Sequence, residues 1–172
     1  MKLNMIREVE GDILLTGADL IAHGIATRDH FDSGLALSLR DRWPSMVRDY
    51  RHFTHSNPLK AGDVWSWSGV NEGGGTRHII NLITQDMLDD GKASRPNKAS
   101  LEHVAHSIKA LAKHIKNNDI RSVALPRLAT GVGALDWDDV KPLIQAHLAD
   151  LGIPVLVYEV YRHGVKADEK LV

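Results

Sequence analysis

The sequence predicts an α/β/α sandwich built on a mixed six-stranded sheet, and three features of the 172-residue chain carry that prediction. Short apolar runs rich in β-branched residues recur, segments of helical spacing lie between them, and Gly-rich turns separate the two kinds of element. Strands that alternate with helices place a ligand crevice at their carboxyl ends.

In chain order the candidate strands are Ile6 to Leu14, Leu20 to Ile25, Val64 to Trp67, His78 to Ile83, Val123 to Leu128 and Val155 to Tyr161. After the second strand, Gly34-Leu35-Ala36-Leu37-Ser38-Leu39 forms a short helix, capped by Ser33 or Asp32 and closed before Pro44. Ser45 to Thr54 is weakly helical, and Asp63 to Thr84 reads as a hairpin turning at Asn71-Glu72-Gly73-Gly74-Gly75. From Leu101 onward, Val104, Ala105, Ile108, Leu111, Ala112 and Ile115 recur at helical spacing, with Lys109, Lys113 and Lys116 late in the run, where the helix dipole favours cations. From Trp137, the series Val140, Leu143, Ile144, Leu148 and Leu151 repeats the pattern; Asp136, Asp138 and Asp139 open it and Gly152 ends it. Residues 1–162 form one domain, and 163–172 a charged C-terminal tail whose Lys, Asp and Glu predict a frayed end.

Composition narrows the function. Lys and Arg number 21 against 22 Asp and Glu, so no broad basic field exists to hold duplex nucleic acid through its phosphates. The absence of Cys excludes disulfide scaffolds, thiolate metal sites and cysteine nucleophiles. Charges at Arg7, Glu8, Glu10, Asp12 and Asp19 break any secretory apolar core, and no apolar run approaches membrane-spanning length, so a cytoplasmic, monomeric protein without a membrane partner is the expectation.

Two loops carry the residue types that hold anionic ligands. Gly24 to Gly34 runs from a strand into a helix start, where backbone N–H groups and the dipole favour phosphate. Thr130-Gly131-Val132-Gly133-Ala134 is a small-residue loop whose backbone can wrap a pyrophosphate. Four further segments complete the pattern: Gly11-Asp12-Ile13; His23-Gly24-Ile25 with Gly34-Leu35-Ala36; Ile83-Thr84; and Ala124 to Leu128 leading to Leu135-Asp136-Trp137 and the closing Val157-Tyr158. Taken in order over about residues 6 to 160, these segments resemble macrodomains, and most of all the branch containing the terminal ADP-ribose glycohydrolase and the DarG antitoxins.

The resemblance implies a macrodomain sandwich that binds ADP-ribose, free or carried on protein or nucleic acid, as ligand or substrate, with no cofactor and no metal. It places Asp12, with Ile13, at the adenine amino group and Tyr158 near the adenine ring. A carboxylate reads an exocyclic N–H and an aromatic face stacks on a base, so the residue types fit. Ser33, Gly34, Leu35, Thr84, Gln85 and the loop Thr130, Gly131, Val132, Gly133 and Ala134 match the segments that hold the diphosphate and distal ribose.

The departures bear on catalysis. Hydrolases of this branch use a lysine nucleophile where this chain has Gln85, and an aspartate in the second loop where the ungapped match puts Gly133. In the first loop the family's Met-Gly-Ala-Gly is replaced by Phe31-Asp32-Ser33-Gly34. Asp32, Asp29 and His30 are the candidates for a general base acting on water without a lysine, against a reading in which they are a cap and a solvated charge cluster. The expected function is therefore an ADP-ribosyl hydrolase of altered mechanism; the alternatives are a non-catalytic ADP-ribose reader or nucleotide-sequestering module, and a phosphatase of ADP-ribose 1''-phosphate.

Other features carry less. His52 with His55, and His103 with His106, lack a third ligand nearby, and Gly69 to Thr76 lacks the lysine of a phosphate loop. Trp43, Trp65, Trp67 and Trp137 are read as packing, and Lys92 to Lys98 with Arg95 as a solvated loop ahead of the alternative, a basic loop over the cleft that contacts phosphate or a nucleic acid end.

Overall fold

In the computed structural model, which describes residues 5–89 and 94–171, burial along the strands decides the layering. On β4 (Thr76–Gln85), Ile79 and Ile83 face one way and Ile80 and Leu82 the other, and all four are fully buried. A strand buried on both faces needs helices over both. Ile79 and Ile83 join Ile21, Ile25 and Leu156 in a core closed by Leu39 of α1 (Gly34–Arg42) and by Met46, Val47 and Tyr50 of α2 (Pro44–Ser56). Ile80 and Leu82 join Leu20 and Val123 beneath Ile108 and Leu111 of α3 (Leu101–Asn117) and Val140 and Ile144 of α4 (Trp137–Leu148).

The main sheet is six-stranded and mixed. Its remaining strands are β1 (Ile6–Gly11), β2 (Leu20–Ala26), β3 (Val64–Val70), β7 (Val123–Pro126) and β8 (Val155–Tyr161). The spatial order is β1-β8-β7-β2-β4-β3, parallel throughout except where β3 pairs antiparallel with β4. That hairpin turns at Asn71 to Gly75, as its glycines predict, with Asn71 N–H donating to the Gly75 carbonyl at 3.0 Å. The tryptophans pack: Trp43 and Trp67 are buried, Trp65 lies edge-on to Tyr50, and Trp137 donates its indole N–H to Glu159 at 3.1 Å. No helix among the described residues is long and apolar enough to cross a membrane.

Four expectations change. The first strand stops at Gly11 because the Asp12 carboxylate accepts from Leu14 N–H at 3.0 Å and starts a 3-10 turn over Ile13–Leu15. The strand expected to reach Leu128 ends at Pro126, and the chain turns at Ala129, whose φ is 60°. Where a solvated loop was expected, β5 (Met87–Asp89) and β6 (Ser94–Pro96) form a separate antiparallel hairpin, bolted to the end of β2 by Met87 N–H donating to the Thr27 hydroxyl at 2.8 Å. Lys92 lies outside the described residues.

The C-terminal tail is not frayed. Ala167 and Glu169 are buried, and the Glu169 carboxylate accepts from the Thr16 hydroxyl (2.5 Å), Gly17 N–H (2.8 Å) and the Tyr158 hydroxyl (2.5 Å). Charge-assisted hydrogen bonds of this kind are stronger than neutral ones and offset the desolvation of a carboxylate.

Candidate functional site

A cleft of about 440 Å³ opens at the carboxyl ends of β2, β4 and β7, between the first loop, the second loop and the β5–β6 hairpin. Three parallel strands ending together leave such a crevice, and the loops that follow them supply its walls. Asp29, His30, Asp32, Ser33, Gly34 and Leu35 line one wall, Gly131, Val132 and Gly133 another, and Thr84 and Gln85 the floor at the end of β4.

The first wall is held by a strained backbone. Arg28 and Phe31 both have left-handed φ, 51° and 54°, and for a ring as bulky and as fully buried as Phe31 this is uncommon. The Asp29 carboxylate holds the turn, accepting from Ala26 N–H and Phe31 N–H, each at 2.8 Å. Asp29 is thereby a loop-shaping group, with both oxygens engaged. Phe31 packs edge-on to Tyr50 at 5.5 Å, and burial pushes the Tyr50 hydroxyl up to about 12. His30 is exposed, and its carbonyl lies 3.4 Å from the Arg40 guanidinium. Asp32 is exposed on the lip and accepts no hydrogen bond among the described residues. Ser33 occupies the N-cap of α1 without a side-chain bond to the helix, so its hydroxyl and the following N–H groups face the cleft free of a cap.

The second wall bends at Ala129 (φ 60°) and Ala134 (φ 59°), so that non-glycine left-handed residues flank the cleft on both sides. Backbone held in such regions concentrates at ligand sites. Gly133 fits only because it has no side chain: a Cβ there would lie 2.6 Å from the Ala129 carbonyl oxygen. The Gly133 carbonyl accepts from Ala99 N–H at 3.0 Å, which ties this wall to the segment after β6.

At the floor, Gln85 is buried and spent. Its amide donates to the Asn97 carbonyl at 3.0 Å and its oxygen lies 3.1 Å from the Thr84 hydroxyl. Beneath lies His23, fully buried, with Nε2 2.6 Å from Asn81 Oδ1; burial holds its pKa down at about 4, so the imidazole is neutral near neutral pH.

Part of the expected binding set lies outside the cleft lining. Asp12, Ile13 and Tyr158, expected at adenine, and Thr130 and Ala134, expected at the diphosphate and distal ribose, do not line the cleft. Asp12 is buried, its second oxygen accepting from Gly164 N–H at 2.9 Å and its own N–H donating to the Val165 carbonyl at 2.7 Å. Ile13 is buried in the 3-10 turn, and Thr130 folds back with its hydroxyl on the Arg127 carbonyl at 2.9 Å. The Tyr158 ring packs in the core with its hydroxyl on Glu169, and burial and that carboxylate together push its ionisation above the ordinary tyrosine range. Conversely, sequence reasoning missed His23, Met87, Ser94 and Pro96 as lining residues, and ranked a place over the cleft for Arg95, which does line it, below a solvated loop. The hairpin has no periodicity that separates it from a loop, although its Arg95 is an exposed cation of the kind expected beside a phosphate.

A profile of the Macro domain family matches residues 26–144. The DNA ADP-ribosyl glycohydrolase of Thermus aquaticus is 28% identical over 156 residues, covering 90% of this chain and 41% of that protein. The human ADP-ribose glycohydrolase OARD1 is 24% identical over 154 residues, covering 89% of this chain and 90% of the relative. Among solved structures, the macrodomain of Thermus aquaticus DarG superimposes with a TM-score of 0.76 at 27% identity, over 90% of this chain and 98% of that one. The chain spans about two fifths of the length of the two bacterial relatives at the head of the comparison.

Proposed function

The chain belongs to the macrodomain family, whose fold its mixed six-stranded sheet reproduces, and on that premise we propose that the cleft binds the ADP-ribosyl group of a modified macromolecule and releases it with water as the nucleophile. The observation that carries the altered mechanism is the end of β4. Among the described residues that line the cleft there is no lysine, the Gln85 amide is already hydrogen-bonded, and at Gly133 the backbone has no room for a side chain. In this reading the described cleft offers no amine for a covalent lysine route.

Of the two carboxylates in the first loop, Asp32 is the one this reading assigns to act on water, with His30, also exposed on the cleft, as the other candidate. Asp29 is occupied by two backbone N–H groups, whereas the Asp32 carboxylate is on the lip and unengaged among the described residues. In this reading Asp32 takes a proton from water, the oxygen bonds to the anomeric carbon, and the bond from that carbon to the macromolecule breaks with its electron pair and a proton going to the leaving group. The diphosphate lies along the loop backbones and the start of α1, where N–H groups and the helix dipole favour anions. Relatives named as DNA ADP-ribosyl glycohydrolases make modified DNA the first substrate to test and modified protein the second. The engaged Gln85 and the side-chain-free Gly133 also support a second reading, a non-catalytic reader with the same ligand.

Calorimetric titration with ADP-ribose, followed by turnover of ADP-ribosylated DNA, ADP-ribosylated protein and ADP-ribose 1''-phosphate, tests both. The expected result is micromolar binding and turnover of a modified macromolecule that falls by about 100-fold or more in Asp32→Asn, with binding retained. Full turnover in Asp32→Asn removes the base; binding without turnover of any substrate leaves the reader; absence of binding overturns the proposal.

A further inference from the structure

The C-terminal segment 162–171 runs across Asp12 and takes up its hydrogen-bonding groups. It leaves β8 with Arg162 N–H donating to the Gly11 carbonyl at 3.0 Å, then turns, with Val165 N–H on the Arg162 carbonyl at 3.1 Å. Inside that turn, Gly164 N–H donates to Asp12 Oδ2 at 2.9 Å and the Val165 carbonyl accepts from Asp12 N–H at 2.7 Å. Asp12 Oδ1 accepts from Leu14 N–H at 3.0 Å, so both carboxylate oxygens and the backbone N–H are engaged and the residue is 97% hidden from solvent, its exposure being 3%. Packing is close: a Cβ on Gly11 would lie 2.8 Å from both Ala167 N and the Val165 carbonyl oxygen.

The hold is uneven along the segment. Arg162 to Lys166, Asp168 and Lys170 are exposed, and burial is confined to Ala167, Glu169 and, in part, Leu171. Glu169 is the principal anchor, through its bonds from Thr16, Gly17 and Tyr158, and Arg7 adds a guanidinium on the Glu169 carbonyl. A surface segment fixed at a few points opens locally more readily than the sheet beneath it. The turn that covers Asp12 belongs to the exposed part, with Gly164 in the left-handed region at φ 72°.

From this arrangement we infer that residues 162–171 are a self-occupying strap: backbone groups of Gly164 and Val165 stand in for a nucleobase edge at Asp12, and the strap lifts when a purine amino group takes their place. The inference rests on the ADP-ribose reading above, and it gives that site a regulated closed state. A donor N–H at Oδ2 and an acceptor at the Asp12 N–H are the pair of complementary groups that an aminopurine edge also offers, so ligand and strap compete for the same atoms. Ligand bound only when the strap is away has its apparent affinity reduced by the fraction of molecules open.

The test uses the full chain and two variants that loosen the strap at different places. Glu169→Gln removes the anchoring charge at nearly constant volume, and Gly164→Pro deletes the N–H on Asp12 and cannot adopt a φ of 72°, while altering no core residue. ADP-ribose affinity is read by calorimetry, and amide hydrogen exchange is followed over segment 162–171 with and without ADP-ribose. The expected result is faster exchange of the strap in the ADP-ribose complex and, for a strap open about one tenth of the time, about tenfold tighter binding by Gly164→Pro and by Glu169→Gln. A strap that stays equally protected in the complex, or variants that bind no more tightly than the parent, overturns the strap while leaving ADP-ribose binding intact. Failure of the parent and both variants to bind removes the ADP-ribose reading and the strap with it.

Discussion

The neutral histidine below the cleft provides a measurable stability difference. His23 is 1% exposed and hydrogen-bonded to Asn81 at 2.6 Å, and burial lowers its pKa from 6.5 to about 4. The unfolded chain takes up the proton near pH 6.5 and the folded one near pH 4, so between those values the unfolded state holds more protons. Stability is therefore fully present above about pH 6.5 and drains away as pH falls toward about 4. The interval from 6.5 to about 4, at about 1.4 kcal/mol for each pH unit, comes to about 3 kcal/mol. Urea unfolding across that range, on the parent and on His23→Gln, isolates the contribution. Gln can keep an N–H toward Asn81 but does not titrate, and every other group, including His114, whose pKa burial also lowers, is common to both proteins. The parent is expected to lose about 3 kcal/mol more than His23→Gln between about pH 7 and about pH 4. Two curves of the same slope would falsify the claim that this imidazole is held neutral by burial.

Three further outcomes follow from the same geometry. Gly133→Asp, which introduces the acidic residue the resemblance led one to expect there, is expected to cost about 1–3 kcal/mol in urea unfolding because its Cβ meets the Ala129 carbonyl at 2.6 Å; unchanged stability would show that this loop repacks freely. Asp29→Ala leaves the Ala26 and Phe31 N–H groups without their carboxylate and should cost about 1–3 kcal/mol while weakening ADP-ribose binding, an outcome contradicted by parental affinity and midpoint. Leu111→Ala, in the fully buried face of α3, should cost about 2–5 kcal/mol with little change in ligand affinity for the folded protein, and a loss below about 1 kcal/mol would mean that the face is not packed as described.

The layers were legible because their signal is local and repeated. Val104, Ile108, Leu111 and Ile115 lie on one face of α3 at intervals that only a helix brings together, and they are all buried. Strands such as Ile79 to Ile83 read as near-continuous apolar runs, which is what burial on both faces requires. The two loops that wall the cleft were legible as loops, being small or polar residues set between a strand and a helix. The β5–β6 hairpin was not, since three-residue strands are too short to show a period, and Ser94-Arg95-Pro96 has the composition of a turn.

The tail shows why its own docking was hidden. Lys166, Asp168, Glu169 and Lys170 read as a solvated run, because charged residues are buried only when partners are supplied, and sequence neighbours supply none here. The partners of Glu169 come from Thr16, 153 residues away in the chain, and from Tyr158 on the last strand. No periodicity reports a carboxylate satisfied across such distances. The same contacts redefine Asp12, which by local sequence is a turn residue and by resemblance a purine ligand, but in the folded chain is the acceptor for Gly164. These roles are compatible only in sequence of time. On the strap proposal adenine recognition at Asp12 and the docked strap exclude each other through the Asp12 N–H, a single donor already spent on the Val165 carbonyl, and through the turn that leaves Asp12 3% exposed, so the hold on Glu169 sets how often the strap is open.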